Sequence, residues 1–205
     1  FQPSEFAKIC VILSFSLAIV KVQKNGKEQI SKPIQLLKCL IVVIIPVLLI
    51  IKQPDYGTAI AFCIATAIIL ITSGINKKYI ITAVVLAIIA LPLLYFFILP
   101  NHAKTRIDVF LNPNLDPRGS GYNVLQSKLA IGSGKLLGMG IKNGSQTQLG
   151  YLYPQTTDFI YSAIGEEMGF VIAAVVIILY IILITKSLQI AKTAKDDLGS
   201  YIASG

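Results

Sequence analysis

The sequence is poor in charged residues. Of its 205 residues, 14% are Asp, Glu, Lys or Arg, whereas soluble domains contain about 25%. Hydrophobic residues make up 55% of the chain, and the mean hydropathy is +0.74. Low charge together with long apolar runs excludes an ordinary soluble domain and places the chain in a lipid bilayer.

Residues that bind metals or form disulfides are also scarce. The chain has one His, His102, and three Cys, which are Cys10, Cys39 and Cys63. The three Cys lie in apolar runs without the spacing of metal ligands, so we expect them to behave as small buried hydrophobes. His102 stands alone at the edge of a loop, where a solvated or capping role is the simpler interpretation.

The net charge of +8 does not indicate a nucleic-acid partner. The lysines are dispersed between apolar segments, and the sequence has neither a basic stripe interleaved with aromatic residues nor a known nucleic-acid motif. We therefore expect no nucleic acid among the partners.

Five apolar runs define the fold class. Each is too long for a buried strand, and a segment in the bilayer must satisfy its own backbone hydrogen bonds, so we interpret all five as helices. The sequence predicts an all-α polytopic membrane protein, a bundle of about five transmembrane helices in a single membrane domain over residues 1–205. Because the sequence enters an apolar run almost at once after Phe1, we expect an internal piece of a longer protein. The predicted spans are about 5–20, 36–51, 58–74, 79–99 and 159–185.

The lysines predict the orientation of these spans. Alternation along the chain places three lysine-bearing segments on one side, and the positive-inside rule makes that side cytoplasmic. The segment 100–158 is then an extracellular loop of a multi-pass protein in the plasma membrane. The cytoplasmic segments contain Lys21, Lys24, Lys27, Lys32 and Lys38, then Lys77 and Lys78, and then Lys186, Lys192 and Lys195.

The loop between the fourth and fifth runs is the one long polar stretch of the chain. Its glycines, prolines and small polar residues exclude a continuous helix or a long strand, and loops of this length are usually functional or disordered. Apolar anchors such as Tyr122, Leu129 and Leu152 favour the functional interpretation. Its basic side chains either bind an anionic group such as pyrophosphate or are only solvated. They are Lys104, Arg106, Arg118, Lys128, Lys135 and Lys142.

Two pairs of ionisable residues lie within apolar runs, where such residues are functional candidates. Glu5 and Lys8 are three residues apart on one helix face. They form either an ion pair that neutralises itself or part of a polar cavity for a substrate head group. Glu166 and Glu167 lie inside the fifth run, and one of them is a candidate partner of Lys8.

Two further aspartates lie where a polar segment meets an apolar run. Asp55 fits a helix N-cap better than a catalytic group, since it precedes the third run and can accept the free amides of a helix start. Asp158 opens the fifth run. Its carboxylate is equally compatible with a helix cap and with a general base that acts on a hydroxyl at the water–lipid boundary.

Six motifs occur in one order along the chain, and their combination closely resembles the SEDS family (shape, elongation, division and sporulation), which includes RodA and FtsW. Family members have about ten spans, and this chain corresponds to the fourth to the eighth. The motifs are Phe1-Gln-Pro-Ser-Glu-Phe-Ala-Lys8, Gln53-Pro-Asp-Tyr-Gly-Thr58, Gly121-Tyr122 with Gln126-Ser127 and Ala130-Ile-Gly-Ser-Gly134, Asn143-Gly-Ser-Gln146, Thr157-Asp-Phe-Ile160 and Gly165-Glu-Glu-Met-Gly169.

The resemblance implies a peptidoglycan glycosyltransferase that polymerises lipid II outside the plasma membrane and works with a class B penicillin-binding protein. The family's essential aspartate falls on Asp158, and its membrane Glu and Lys fall on Glu5 and Lys8. Thr156 stands where many members have His, and the proline before this motif is shifted to Pro154. The segments Gln-Thr-Gln-Leu149 and Gln-Ser-Lys128 are closer to RodA than to FtsW, which implies a role in cell-wall elongation and rod shape.

The sequence indicates one optional cofactor and three alternative functions. A divalent cation, Mg²⁺ or Mn²⁺, can assist with a pyrophosphate, but no ligand cluster marks a site for it. The alternatives are a lipid II flippase, a non-catalytic scaffold of the wall-synthesis complex, and an FtsW-like division role.

The resemblance also completes a set of expected substrate-binding residues. They are Glu5, Lys8, Arg106, Arg118, Gln126, Ser127, Lys128, Gln146 and Thr157.

The orientation argued from the lysines is tested by cysteine labelling. In a cysteine-free background, a Ser145→Cys variant should react with a membrane-impermeant thiol reagent on intact cells, and a Lys27→Cys variant should react only after the cells are opened. The opposite pattern would reverse the topology.

Overall fold

A computed structural model describes residues 2–98, 100–152 and 157–205. The chain forms two compact units. Unit 1 comprises Phe1–Ile88 together with Ile184–Gly205, and unit 2 comprises Ile89–Leu183. The described residues form helices and turns, so the prediction of an all-α protein is confirmed.

All five apolar runs are helical, and most of the helices extend beyond the apolar residues that predicted them. Pro3 and Pro33 each occupy the first helical turn, where the missing N–H is not needed and the fixed φ suits a helix start. The helices are α1 (Pro3–Gln23), α2 (Pro33–Lys52), α3 (Tyr56–Thr72), α4 (Lys77–Leu93), α5 (Asn101–Leu111), α6 (Tyr122–Ser133), α7 (Ser145–Gln148), α8 (Ile160–Thr193) and α9 (Asp197–Ser204).

Among the described residues, three helical segments are long and apolar enough to cross a membrane. They are Pro33–Lys52, Lys77–Phe97 and Ile160–Thr193, and α3 is a shorter apolar helix. The end of the predicted fourth span, at Leu99, lies outside the described residues. The predicted loop 100–158 contains the three short helices α5, α6 and α7.

Unit 1 has one hydrophobic core, built from α1, α2, α3 and α9. The α1 residues Val11, Phe15 and Ile19 recur every four positions, so they form one stripe along the helix. They pack with buried residues of α2 and α3 such as Val43 and Phe62. Most other large apolar side chains of these helices are exposed, as expected of helices whose outer faces contact lipid.

Unit 2 contains an interruption in the longest helix of the chain. Within α8, Gly169 has φ 80° and ψ 179°, a backbone conformation essentially restricted to glycine. An unbroken helix would join the Phe170 amide to the Glu166 carbonyl and the Val171 amide to the Glu167 carbonyl. The interruption therefore leaves two donors and two acceptors without their helical partners.

The segment 135–140 supplies new partners for all four groups. The amides of Met139 and Gly140 donate to the Glu166 and Glu167 carbonyls at 2.9 and 3.0 Å. The amides of Phe170 and Val171 donate to the carbonyls of Lys135 and Leu136 at 2.9 and 3.3 Å. Buried backbone groups without partners cost several kcal/mol in hydrocarbon, so this exchange is what makes the interruption tolerable.

Besides Gly169, two glycines of the segment that precedes α7 allow the close approach of backbone to backbone. A Cβ on Gly134 would overlap the carbonyl of Gly165, and one on Gly138 would overlap the carbonyl of Glu167. By contrast, a Cβ on Gly132, inside α6, would meet nothing within 4 Å. The glycines of the loop are therefore not equivalent, and those next to α8 are required by packing.

Alanine substitutions at Gly134 and Gly132 test this packing. Gly134→Ala should lower the free energy of unfolding by about 1–3 kcal/mol, because the backbone of α8 cannot move away without breaking hydrogen bonds. Gly132→Ala should be neutral or stabilising by up to about 1 kcal/mol, because alanine is the better helix former. Thermal unfolding of the full-length protein in detergent measures both, and equal effects would show that the contact at Gly134 is not limiting.

Candidate functional site

Asp158 lies in the turn immediately before α8, and its side chain is exposed. The first helical residue is Ile160, so Asp158 is two positions outside the helix. Among the described residues, no hydrogen bond or ion pair reaches its carboxylate. Thr157, beside it, is also exposed, whereas Thr156 and Pro154 lie outside the described residues. Of the two interpretations open from the sequence, the structure gives no support to a helix cap.

The other four acidic residues of unit 2 accept hydrogen bonds that hold the local structure. Asp108 accepts from the Tyr95 hydroxyl at 2.6 Å. Asp116 accepts from the backbone amides of residues 119 and 120 at 3.0 and 2.7 Å, and Glu167 accepts from the Gln148 side chain at 3.2 Å. Asp158 is thus the one described carboxylate of unit 2 that accepts no hydrogen bond from a described residue.

Glu166 is a structural feature that the sequence did not reveal. Its side chain is 0% exposed, and its two oxygens accept from the backbone amides of Gln146 at 2.8 Å and Thr147 at 3.0 Å. The hydroxyls of Ser133 and Ser145 approach Oε1 at 3.4 Å. Glu166 therefore bonds to loop residues of its own unit, and the pairing of Glu166 or Glu167 with Lys8 stays a prediction. Its position inside an apolar run was the available signal.

The loop cations divide into one structural residue and a group of exposed ones. Pro100 lacks the N–H that would continue the helical bonding of the Phe96 carbonyl, and Lys104 donates to that carbonyl at 3.1 Å. The remaining cations are exposed, and none forms an ion pair with a described residue. Asp108 and Asp116 are occupied as described above and do not neutralise them. These exposed cations are Arg106, Arg118, Lys128, Lys135 and Lys142.

Three of the loop residues expected to bind substrate are partly buried within unit 2. They are Gln126, Ser127 and Gln146. Ser127 bonds to Ser162 of α8 with 2.6 Å between the two hydroxyl oxygens, which fixes α6 against α8. The Oε1 atoms of Gln126 and Gln146 are buried, and neither has a hydrogen-bond partner among the described residues. Buried polar atoms normally have partners, so these two acceptors are suited to donors from a ligand.

Glu5 and Lys8 form an ion pair in unit 1, with 2.8 Å between Lys8 Nζ and Glu5 Oε2. The two side chains are 54% and 33% exposed. Lys8 also lines a cavity of about 170 Å³ whose walls come from α1, α3 and Gly205. The ion pair, one of the two interpretations open from the sequence, is present, and Lys8 also borders an open space.

Asp55 is a helix N-cap, as the sequence favoured. Its carboxylate accepts from the Thr58 amide at 3.1 Å and the Thr58 hydroxyl at 2.7 Å, and Gln2 donates to it at 3.2 Å. These hydrogen bonds, that of the Thr58 hydroxyl above all, hold the pKa of Asp55 below its ordinary value. The stability that this cap contributes is therefore fully present above the ordinary aspartate pKa. It is lost as the pH falls through the lowered pKa of Asp55.

No group of three or more His, Cys, Asp or Glu side chains with metal-binding geometry occurs in the described parts of the chain. The three Cys are free, with Cys39 buried and Cys10 and Cys63 exposed.

The arrangement of unit 2 is suited to an anionic ligand that carries hydroxyl or amide donors. One free carboxylate, several free cations and two free amide oxygens provide the groups that such a ligand requires.

Comparison with known proteins gives matches along the whole chain. The family model for cell cycle proteins of the FtsW, RodA and SpoVE type matches residues 1–205. The chain is 38% identical over 209 residues to the peptidoglycan glycosyltransferase MrdB of Escherichia coli K12, covering 100% of this chain and 54% of that protein. It is 36% identical over 205 residues to the probable peptidoglycan glycosyltransferase FtsW of Trichlorobacter lovleyi, covering 100% and 52%. The chain spans about half the length of the curated relatives it matches.

The energetic role of the Glu5–Lys8 pair is tested by a double-mutant cycle. Lys8→Ala should lower the melting temperature of the full-length protein, because it leaves a carboxylate without its partner near the membrane. Adding Glu5→Gln should restore most of the loss, because no unpaired charge remains. A double variant no more stable than Lys8→Ala would show that Lys8 stabilises the protein through packing instead.

Proposed function

Because the chain belongs to the family of FtsW, RodA and SpoVE cell cycle proteins, we propose that its full-length protein is a peptidoglycan glycosyltransferase. The substrate is lipid II, and the product is a glycan strand for cell-wall elongation. The similarity to glycosyltransferases of this family along the whole chain supports the class of reaction. The RodA-like sequence around residues 126–128 and 146–149 supports elongation over division.

The observation that carries the proposal is the state of Asp158. It is exposed, and it has no partner among the described residues, while the other carboxylates of unit 2 are engaged in hydrogen bonds. A general base must be able to reach the proton that it abstracts and must not already be saturated. Asp158 meets both conditions at the junction of a polar loop and a long apolar helix.

The chemistry assigns a role to each group. A sugar hydroxyl of one lipid II attacks the anomeric carbon of the lipid-linked sugar of the growing chain. Asp158 accepts the hydroxyl proton as the new C–O bond forms, and the bond to the pyrophosphate oxygen breaks. Arg106, Arg118 and Lys128 stabilise the negative charge of the departing pyrophosphate-lipid. Gln126, Ser127, Gln146 and Thr157 contact the sugar and peptide groups.

The membrane topology and partner follow from the same proposal. The loop 100–158 faces the outside of the plasma membrane, where the glycan is needed, and the Glu5–Lys8 pair contributes to binding the lipid II head group. A class B penicillin-binding protein crosslinks the product. If a divalent cation takes part, it is held with the help of the pyrophosphate, since the described residues do not supply a ligand cluster.

The alternatives receive less support from the residues. A flippase requires polar groups along a path through the membrane, but α3 contains no charged residue and the lysines of α4 lie at its start. A scaffold requires neither a carboxylate nor cations that are left without partners in the same loop. An FtsW-like division role involves the same chemistry and differs only in the complex that the protein joins.

Asp158→Asn tests the catalytic role. In the full-length protein the variant should fold and bind its partner, but its rate of glycan polymerisation from lipid II should fall by roughly two to four orders of magnitude, because Asn cannot accept the proton. Asp108→Asn is the matched control. It removes a carboxylate from the same unit, but its amide oxygen can still accept from Tyr95, so the rate should remain within a few fold. Near-normal polymerisation by Asp158→Asn would assign Asp158 a structural role.

A further inference from the structure

The carboxyl group of Glu166 is completely buried, and it joins α8 to the turn formed by α7. One of its oxygens accepts from the Gln146 amide and the other from the Thr147 amide. Two consecutive backbone amides that share one carboxyl group are held in a fixed orientation, because each oxygen determines the position of one N–H. The conformation of residues 144–148 therefore depends on a side chain about 20 residues later in the chain.

The surrounding contacts leave this turn little freedom. A Cβ on Gly144 would lie within 2.6 Å of a Glu166 carboxyl oxygen, so the backbone passes directly beside the carboxyl group. Thr147 is 3% exposed, and its hydroxyl donates to the Gly144 carbonyl at 3.2 Å. Thr147 cannot shift without breaking its hydrogen bond to Glu166, and Gly144 has no room for a side chain beside the carboxyl group.

The side chain of Gln146 in the same turn has an acceptor without a partner. Gln146 donates its backbone N–H to Glu166, and its side-chain Oε1 is buried without a partner among the described residues. An amide oxygen in this state fits a hydroxyl or acetamido N–H, the donors that a sugar of lipid II carries. A change at Glu166 would move this oxygen relative to the rest of unit 2.

We infer that Glu166 is a positioning residue for substrate binding, which holds the Gln146 turn in the conformation that receives the saccharide of lipid II. The inference rests on the proposed function for the identity of the ligand. It does not involve proton transfer, because Glu166 contacts the loop backbone and has no exposed surface.

The first test measures the hydrogen bonds without using activity. In Glu166→Gln, the new NH₂ group must face either the Gln146 or the Thr147 amide, so a donor meets a donor and one backbone bond is lost. Hydrogen–deuterium exchange of the full-length protein should then be faster at these two amides by roughly tenfold to a hundredfold. The matched control is Glu167→Gln, which removes the neighbouring carboxylate but leaves both amides bonded. Unchanged exchange in Glu166→Gln would overturn the inference.

The second test separates substrate positioning from stability. Glu166→Gln should raise KM for lipid II by roughly tenfold, the value of one lost hydrogen bond, with a smaller change in kcat. Gln146→Leu should give a similar KM, and combining the two changes should add little, since they affect the same contact. Glu167→Gln should keep KM within about twofold. A melting temperature that falls while KM stays at the wild-type value would show that Glu166 is only structural.

A second variant and a measurement that does not depend on activity keep the inference testable. If Glu166→Gln does not fold, Glu166→Asp retains a carboxyl group but draws it away from the amides, and the same exchange and KM changes are expected. If the wild-type protein does not polymerise lipid II, the proposed function fails, and the exchange measurement still decides whether Glu166 holds the turn.

Discussion

Backbone hydrogen bonds between the loop and the interrupted helix α8 are the constraint on which unit 2 depends. A helix that crosses a bilayer must satisfy every backbone group, yet α8 breaks its own ladder at Gly169, roughly 13 Å along its axis from Ile160 at a 1.5 Å rise per residue. The segment 135–140 completes the ladder with four hydrogen bonds. Gly134, Gly138 and Gly169 permit this because a side chain at any of them would occupy the space of the opposing backbone.

The same backbone hydrogen bonds bring donors within reach of Glu166 and Glu167 in unit 2. Once the loop is held against α8, Glu166 reaches the amides of residues 146 and 147, and Glu167 reaches Gln148. Asp116 closes the turn before α6 in a similar way. Asp158, at the other end of the loop, remains outside this network. A loop that is joined to α8 by these hydrogen bonds and carries a carboxylate and several cations without partners is a suitable arrangement for transfer of a sugar from a pyrophosphate.

In unit 1, local sequence signals are sufficient to predict two side-chain interactions. The N-cap at Asp55 follows from an aspartate three residues before a threonine at the start of an apolar run, and the cap needs only these neighbours and Gln2. The Glu5–Lys8 pair follows from helical spacing. Both interactions join residues that are close in sequence or adjacent at helix ends, so periodicity and capping preferences predict them.

Sequence alone determined the all-α class, the five helical runs and the polar loop, because hydropathy and glycine and proline content are local properties. Its motifs also indicated the family and Asp158. Only the tertiary structure decided the interruption at Gly169 and the burial of Glu166. These depend on backbone groups brought together from positions about 20 to 35 residues apart in unit 2, and on which donors remain after α8 has broken its own hydrogen bonds. A glycine inside an apolar run is compatible with either an intact or a broken helix, and the choice is made by the partner segment that packs against it.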